Sequence, residues 1–166
     1  MLYSLSVFSR KGVCVFYWEW NKPPSDAQKV AEDQHLLYGM LFSMKLFVAQ
    51  MAPPSAAAAP EPTQFRCYRT DTYALHYFES ATGVKFVAVT DPAAPDLADD
   101  LATLFRTVYV EYVAKNPYLL ADDTKPIACD LFVAHVQRFV TALPCFASKP
   151  PSTPAGALSP LASADS

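Results

Sequence analysis

Glycine is scarce, with four residues in 166. A phosphate-cradling loop depends on glycine, and neither G-x-x-x-x-G-K-[ST] nor G-x-G-x-x-G occurs, so the residues give no sign of a nucleotide site. Charge is also short: 17% of residues are Asp, Glu, Lys or Arg, and the net charge is −3. That balance excludes the basic patch on which nucleic-acid binding depends. It also leaves too few charges to cover a whole surface, which points to an apolar area hidden by something else. The four cysteines, Cys14, Cys67, Cys129 and Cys145, have neither C-x-x-C nor zinc spacing. They read as free thiols of a reducing compartment, and no metal is expected. No apolar run reaches the roughly 18 residues of a membrane span, and the first residues lack the pattern of a signal peptide. A cytoplasmic chain is expected.

Catalytic groupings are missing too. His35, His76 and His135 are far apart and none lies in an H-E-x-x-H pattern; each reads as a surface or structural histidine. Asp99 and Asp100 are adjacent, so on a helix they point about 100° apart, a poor acid–base pair and a good first helical turn. Cys14 has no neighbouring histidine to activate it. Neither catalytic residues nor a cofactor are expected. Distant residues can still converge in a fold, so the missing motifs weaken an enzyme reading without removing it.

What is present is a clear alternation of strand and helix signals. Leu2 to Ser9 and Val13 to Trp20 are β-branched and aromatic runs around Arg10-Lys11-Gly12, a hairpin pattern. The run VCVFYWEW is apolar on both parities, which predicts a sheet covered on both faces. After Pro23 and Pro24, a helical period carries Leu36, Leu37, Met40, Leu41, Met44, Phe47, Val48 and Met51 on one flank, expected to cover one sheet face. The segment Ala52 to Pro62 is Pro- and Ala-rich and reads as a loop. Three more strand-like runs follow, QFRCYRT, TYALHYFES and VKFVAVTD, the last two joined by Ala81-Thr82-Gly83. A second helix is predicted from an N-cap at Asp96 to Asn116-Pro117, with Leu97, Leu101, Leu104, Phe105, Val108 and Tyr112 on one side. A third is predicted from Ile127 to Leu143, with Phe132, Val136, Phe139, Val140 and Leu143 together. From Ala147 the chain is Ser, Pro and Ala, with little to bury. The expected fold is α+β, in the order β-β-α-β-β-β-α-α. Five antiparallel strands lie between one helix on one face and two on the other, over residues 1–146, with a disordered tail over 147–166.

The first helix carries more apolar surface than one core needs. With Leu37 at zero, the flank for the sheet spans about 260° through 0° to 40°, at about 100° per residue. Tyr38, Ala49, Phe42 and Leu46 then fall near ~100°, ~120°, ~140° and ~180° as a second stripe, with Lys45 near ~80° at its rim. Gly39, near ~200°, removes bulk beside it. Burying Phe42 and Leu46 would contribute about 1.5 to 3 kcal/mol each. Two readings compete: a partner-binding stripe of Tyr38, Phe42, Lys45, Leu46 and Ala49, or a stripe packed under the following loop or left as ordinary exposed surface. An edge strand is a second candidate for partner binding.

The segments LSVFSRKGVCVFYWEW, LLYGMLFSMKLFV, YALHYFESATGVKFVAVTD, VYVEYVAKNP and FVTALPCF, in this order, resemble the subunit 1 family of the trafficking protein particle (TRAPP) vesicle-tethering complex, over about residues 2 to 146. These are sedlin-like, or longin-like, small subunits. The resemblance implies a five-stranded longin-like domain and a non-catalytic place in a complex that exchanges guanine nucleotide on a Rab-family GTPase in ER-to-Golgi transport. It implies as partners a second longin-like subunit, a neighbouring palmitoylated-type subunit and, through the complex, the GTPase. It also implies a peripheral location at cis-Golgi and ER–Golgi intermediate membranes. The alternative is a longin-domain adaptor chain or SNARE-regulatory module of another trafficking step. A SNARE would continue into heptads and an anchor, whereas this sequence runs into a Pro- and Ser-rich segment.

Overall fold

Two Ser-x-x-Gly turns organise the sheet. At Ser9-Arg10-Lys11-Gly12 the glycine N–H donates to the Ser9 carbonyl at 3.0 Å, and the Ser9 N–H donates to the Val13 carbonyl at 2.8 Å. Ser80-Ala81-Thr82-Gly83 repeats the device, with the equivalent bonds at 2.9 Å each. Gly12 and Gly83 sit at φ 84° and 83°, the left-handed conformation such three-residue turns require. The computed structural model describes residues 1–20, 27–52, 64–120, 122–143 and 146. The tail 147–166 and, apart from its first residue, the expected loop 52–62 lie outside them.

The first turn joins β1 (Leu2–Phe8) to β2 (Cys14–Glu19), and the second joins β4 (Ala74–Glu79) to β5 (Lys85–Thr90). With the short β3 (Cys67–Arg69) they form one antiparallel sheet in the order β2-β1-β5-β4-β3. Two irregularities of register rephase its edge. On β2, Val7 faces Phe16 and Phe8 faces Cys14, so Val15 is the extra residue, and Val15 and Phe16 join the same core cluster. On β1, Leu2 faces Thr90 and Ser4 faces Val89, so Tyr3 is the extra residue, and Leu2 stays in phase with Leu5 and Val7. The apolar residues of β2, expected to split between faces, therefore gather mostly on one: Val15, Phe16 and Trp18 share a cluster with Trp20, which follows the strand.

Helix α1 (Ala27–Met51) covers one sheet face, where Leu41 packs with Phe8, Phe65, Leu75, Tyr77 and Val87. The other face is covered by α2 (Ala98–Leu104), its π-helical continuation Phe105–Ala114, and α4 (Asp130–Ala142). Aromatic contacts knit that layer: Phe86 meets Tyr109 edge-on at 5.6 Å, and Phe16 meets Phe132 edge-on at 5.1 Å. The five-stranded antiparallel sheet with helices on both faces is the arrangement expected from the pattern, and its order is added by the tertiary structure.

Two helix starts, and the winding of one helix, differ from expectation. The second helix starts at Ala98, with Leu97 rather than Asp96 at the N-cap position. The Leu97 N–H is held by His76 Nδ1 at 3.2 Å, and Asp96 still accepts from the Ala98 N–H at 3.0 Å. After Leu104 the ladder widens to i→i+5, as in the Lys115 N–H to Val110 carbonyl bond of 3.1 Å. Widening turns Val108 and Val113, five apart, both inward, where an α-helix would separate them by about 140°. The third predicted helix starts at Asp130 instead of Ile127. The Ile127 N–H instead donates to the Val15 carbonyl at 2.8 Å, so the chain is tied to the edge of β2 before it can coil. Between these elements Pro117 opens a single turn, α3 (Pro117–Leu120), capped by Asn116 Oδ1 accepting from the Tyr118 N–H at 3.1 Å.

Candidate functional site

The outer face of α1 is the surface with the least explanation inside the chain. Facing the sheet are Leu37, Tyr38, Leu41, Met44 and Val48, with buried Gln34 near the start of the helix. Met40 packs there as well, so with Leu37 at zero this sector runs from about 300° to about 100°. It is rotated from the flank expected from the sequence. Leu36, Phe47 and Met51, expected against the sheet, are instead 72%, 59% and 68% exposed. A helix that is apolar on most sides has no preferred rotation from hydrophobicity alone, and specific contacts choose one.

Those contacts are visible. The Tyr38 ring lies over the first hairpin, 5.7 Å from the Phe8 ring, where a Cβ on Gly12 would come within 2.6 Å of it. Lys45 is hydrogen-bonded and ion-paired to Glu79 on β4. Glu79 also accepts from the Tyr77 hydroxyl at 2.8 Å. Burial pushes the Glu79 carboxyl up, but the bonds from Lys45 and Tyr77 and the charges of Lys45 and Lys85 outweigh it, and it lies below the usual carboxylate range. Burial and the same Glu79 bond push the Tyr77 hydroxyl well above its ordinary value. It therefore donates rather than ionises.

The five residues of the candidate stripe separate. Tyr38 and Lys45 turn toward the chain's own sheet, while Phe42 and Leu46 are 57% and 50% exposed and Ala49 is exposed beside them. Apart from the backbone of its own helix, nothing among the described residues lies within 4 Å of where a Cβ on Gly39 would stand. The exposed apolar surface of α1 is thus broader than the stripe, comprising Phe42, Leu46 and Ala49 on one side and Leu36, Phe47 and Met51 on the other. Sequence reasoning missed Glu79 and Lys85 beside it. The signal was there: both are charged residues in phase with the apolar positions of their strands, Leu75 and Tyr77 in β4 and Val87 in β5.

Among the described residues the groups capable of chemistry do not converge. His35 Nδ1 contacts the Ala31 carbonyl at 2.7 Å on exposed α1, and His135 Nε2 meets the Tyr112 hydroxyl at 2.7 Å between helices. His76 is fully buried between Thr90 and Leu97. Burial pushes the Cys14 thiol up to about 11, which leaves it protonated and unreactive. Asp99 reaches Arg66 at 2.9 Å. Among the described residues no three His, Cys, Asp or Glu side chains gather as metal ligands, and no helix is long and apolar enough to cross a membrane.

The edge strands offer less than the helix. β3 has three residues, and the outer edge of β2 is met by the Ile127 N–H.

A family model described as the Sybindin-like family matches residues 2–143. The chain is 38% identical over 148 residues to trafficking protein particle complex subunit 1 of Dictyostelium discoideum, covering 89% of this chain and 100% of that protein. The protein of the same name from Rattus norvegicus is 34% identical over 148 residues, covering 89% and 97%. Transport protein particle subunit bet5 of Schizosaccharomyces pombe is 30% identical over 162 residues, covering 87% and 99%.

Proposed function

Because the chain belongs to the Sybindin-like family, matched over residues 2–143, we propose that it is a non-catalytic core subunit of the TRAPP vesicle-tethering complex. Its relatives along the full length are named as subunit 1 of that complex, which supports the assignment. The physical observation that carries the reading is the outer face of α1, where Phe42, Leu46, Phe47, Leu36 and Met51 are half or more exposed on a single helix. Large apolar side chains spread over half of a helix's circumference in water mark a surface made to be covered. The stripe of Phe42, Leu46 and Ala49, with Tyr38 and Lys45 at its inner rim, is the subunit contact. A second longin-like subunit and a palmitoylated-type subunit are the partners.

Guanine-nucleotide exchange belongs to the assembled complex. Exchange requires tighter binding of the nucleotide-free Rab-family GTPase than of the loaded form, a difference in affinity that needs no acid, base or nucleophile. This chain contributes platform and docking surface. Its membrane association, at cis-Golgi and ER–Golgi intermediate membranes, is peripheral and comes through the complex.

Pull-down of the tagged chain from cytosol, followed by mass spectrometry, tests membership. The other subunits should be recovered at mild salt, and recovery of none would overturn the proposal. Phe42→Asp should abolish that recovery while leaving the melting temperature of the isolated chain close to wild type. Recovery at wild-type yield would remove α1 from the interface.

A further inference from the structure

β4 and β5 place opposite charges beneath α1, because the strand register sets Glu79 across from Lys85. Glu79 accepts from both Lys45 and the Tyr77 hydroxyl. Lys85 is less well served. Its ammonium lies 3.8 Å from the nearer Glu79 oxygen, beyond hydrogen-bond range, and among the described residues its one hydrogen bond is donated to the Gly83 carbonyl at 2.9 Å. An ammonium carries three donors, and this one belongs to a residue only 9% exposed. The Tyr38 ring, 5.6 Å from Nζ, offsets part of the charge but accepts no conventional hydrogen bond.

Lys45 and Lys85 face one carboxylate, so the site holds one surplus positive charge. It lies in a small notch whose remaining walls are Tyr38, Leu41, Phe42 and Tyr77. Phe42 is at once a wall of this notch and part of the exposed apolar row, so whatever covers the row also closes the notch. A neutral cover would strand two ammonium donors away from water, at the desolvation cost of an unpaired charge.

We propose that the notch receives a carboxylate side chain from the neighbouring subunit that covers Phe42 and Leu46, with Lys85 at the floor and Lys45 at the rim as its donors. The occupant is an Asp or Glu flanked by apolar residues. The proposal rests on the reading of α1 as an assembly surface, and it adds the partner's chemistry at one point of that surface.

Zero-length carbodiimide cross-linking of the assembled wild-type complex, with peptide mass spectrometry, tests it without a variant. The expected product is an amide between Lys85 or Lys45 and an Asp or Glu of another subunit. In parallel, binding of the chain to the remaining co-expressed subunits is titrated at several salt concentrations. Lys85→Met and Lys45→Gln should each weaken binding on the order of thirtyfold and flatten its salt dependence. The melting temperature of each isolated variant separates lost folding from lost binding, and the cross-link stands alone if either variant unfolds. An amide only to Glu79, to Glu61 in the segment after α1, or to a second copy of this chain would overturn the proposal. So would wild-type binding by both folded lysine variants. If Phe42→Asp still breaks assembly in those cases, the assembly surface survives and only the carboxylate recess fails. If Phe42→Asp assembles normally, the underlying reading has failed.

Discussion

His76 shows how one buried polar residue ties two layers together. Its Nδ1 accepts from the Leu97 N–H, so Nε2 carries the proton and donates to Thr90 Oγ1 at 2.9 Å, and Thr90 passes its own proton on to the Asp91 carbonyl at 3.1 Å. This order requires a neutral ring. Burial holds the imidazole below its ordinary value; Asp96, 3.7 Å from Nδ1, pulls the other way, and Arg69 adds to the lowering. Above about pH 6.5 the ring is neutral folded or unfolded, so its titration has no effect on stability. As pH falls below that value the unfolded chain takes up the proton first, and stability drops until the lower folded value is passed. The expected slope just below pH 6.5 is at most about 1.4 kcal/mol per pH unit, and His76→Gln should remove it from denaturant melts. Carboxylates held low, such as Glu79, are lost only at more acid pH. The sequence marked His76 as surface or structural; its burial shows which, and the strand pattern of TYALHYFES already placed it inside a half-buried run.

At the scale of the element, α1 is where sequence and structure part. The 3.6-residue period, the helix and its position over a sheet face were legible from Leu37 to Val48. Its rotation was not, because apolar residues occupy most of its circumference and burial energy is non-directional. Neighbouring residues should therefore behave oppositely. Leu41 is 1% exposed and Phe42 is 57% exposed. Leu41→Ala is expected to cost about 2 to 5 kcal/mol in unfolding free energy, whereas Phe42→Ala should stay within about 0.5 kcal/mol. Equal losses in chemical denaturation would mean that Phe42 is core. The π-helical stretch was illegible for a different reason: residues 105–114 have an ordinary helical pattern, and only the i→i+5 bonding and the shared inward turn of Val108 and Val113 show that the wider turn is used.

At the scale of the whole molecule, the low charge and the exposed side of α1 express one property. A chain with this much apolar surface on one helix is expected to self-associate when separated from its partners. Sedimentation velocity should show concentration-dependent species for the isolated chain. Replacing Phe42, Leu46 and Phe47 with Gln, Lys and Gln should yield a monomer of unchanged circular dichroism. A monomeric wild type across the accessible concentration range would contradict this account.

What the sequence by itself determined is the set of local choices: two Ser-x-x-Gly turns, five strand runs, the helical segments between them, and the absence of the common nucleotide and metal motifs. Each depends on residues within a few positions of one another, where propensity and periodicity are strong. Only the tertiary structure decided the strand order, the rephasing at Tyr3 and Val15, the delayed start of α4 and the side of α1 that faces water. Those depend on contacts such as Lys45 with Glu79, 34 residues apart, and Ile127 with Val15. A hydrophobic pattern can demand that an apolar helix be covered, but it takes directional bonds between distant residues to choose which side stays exposed.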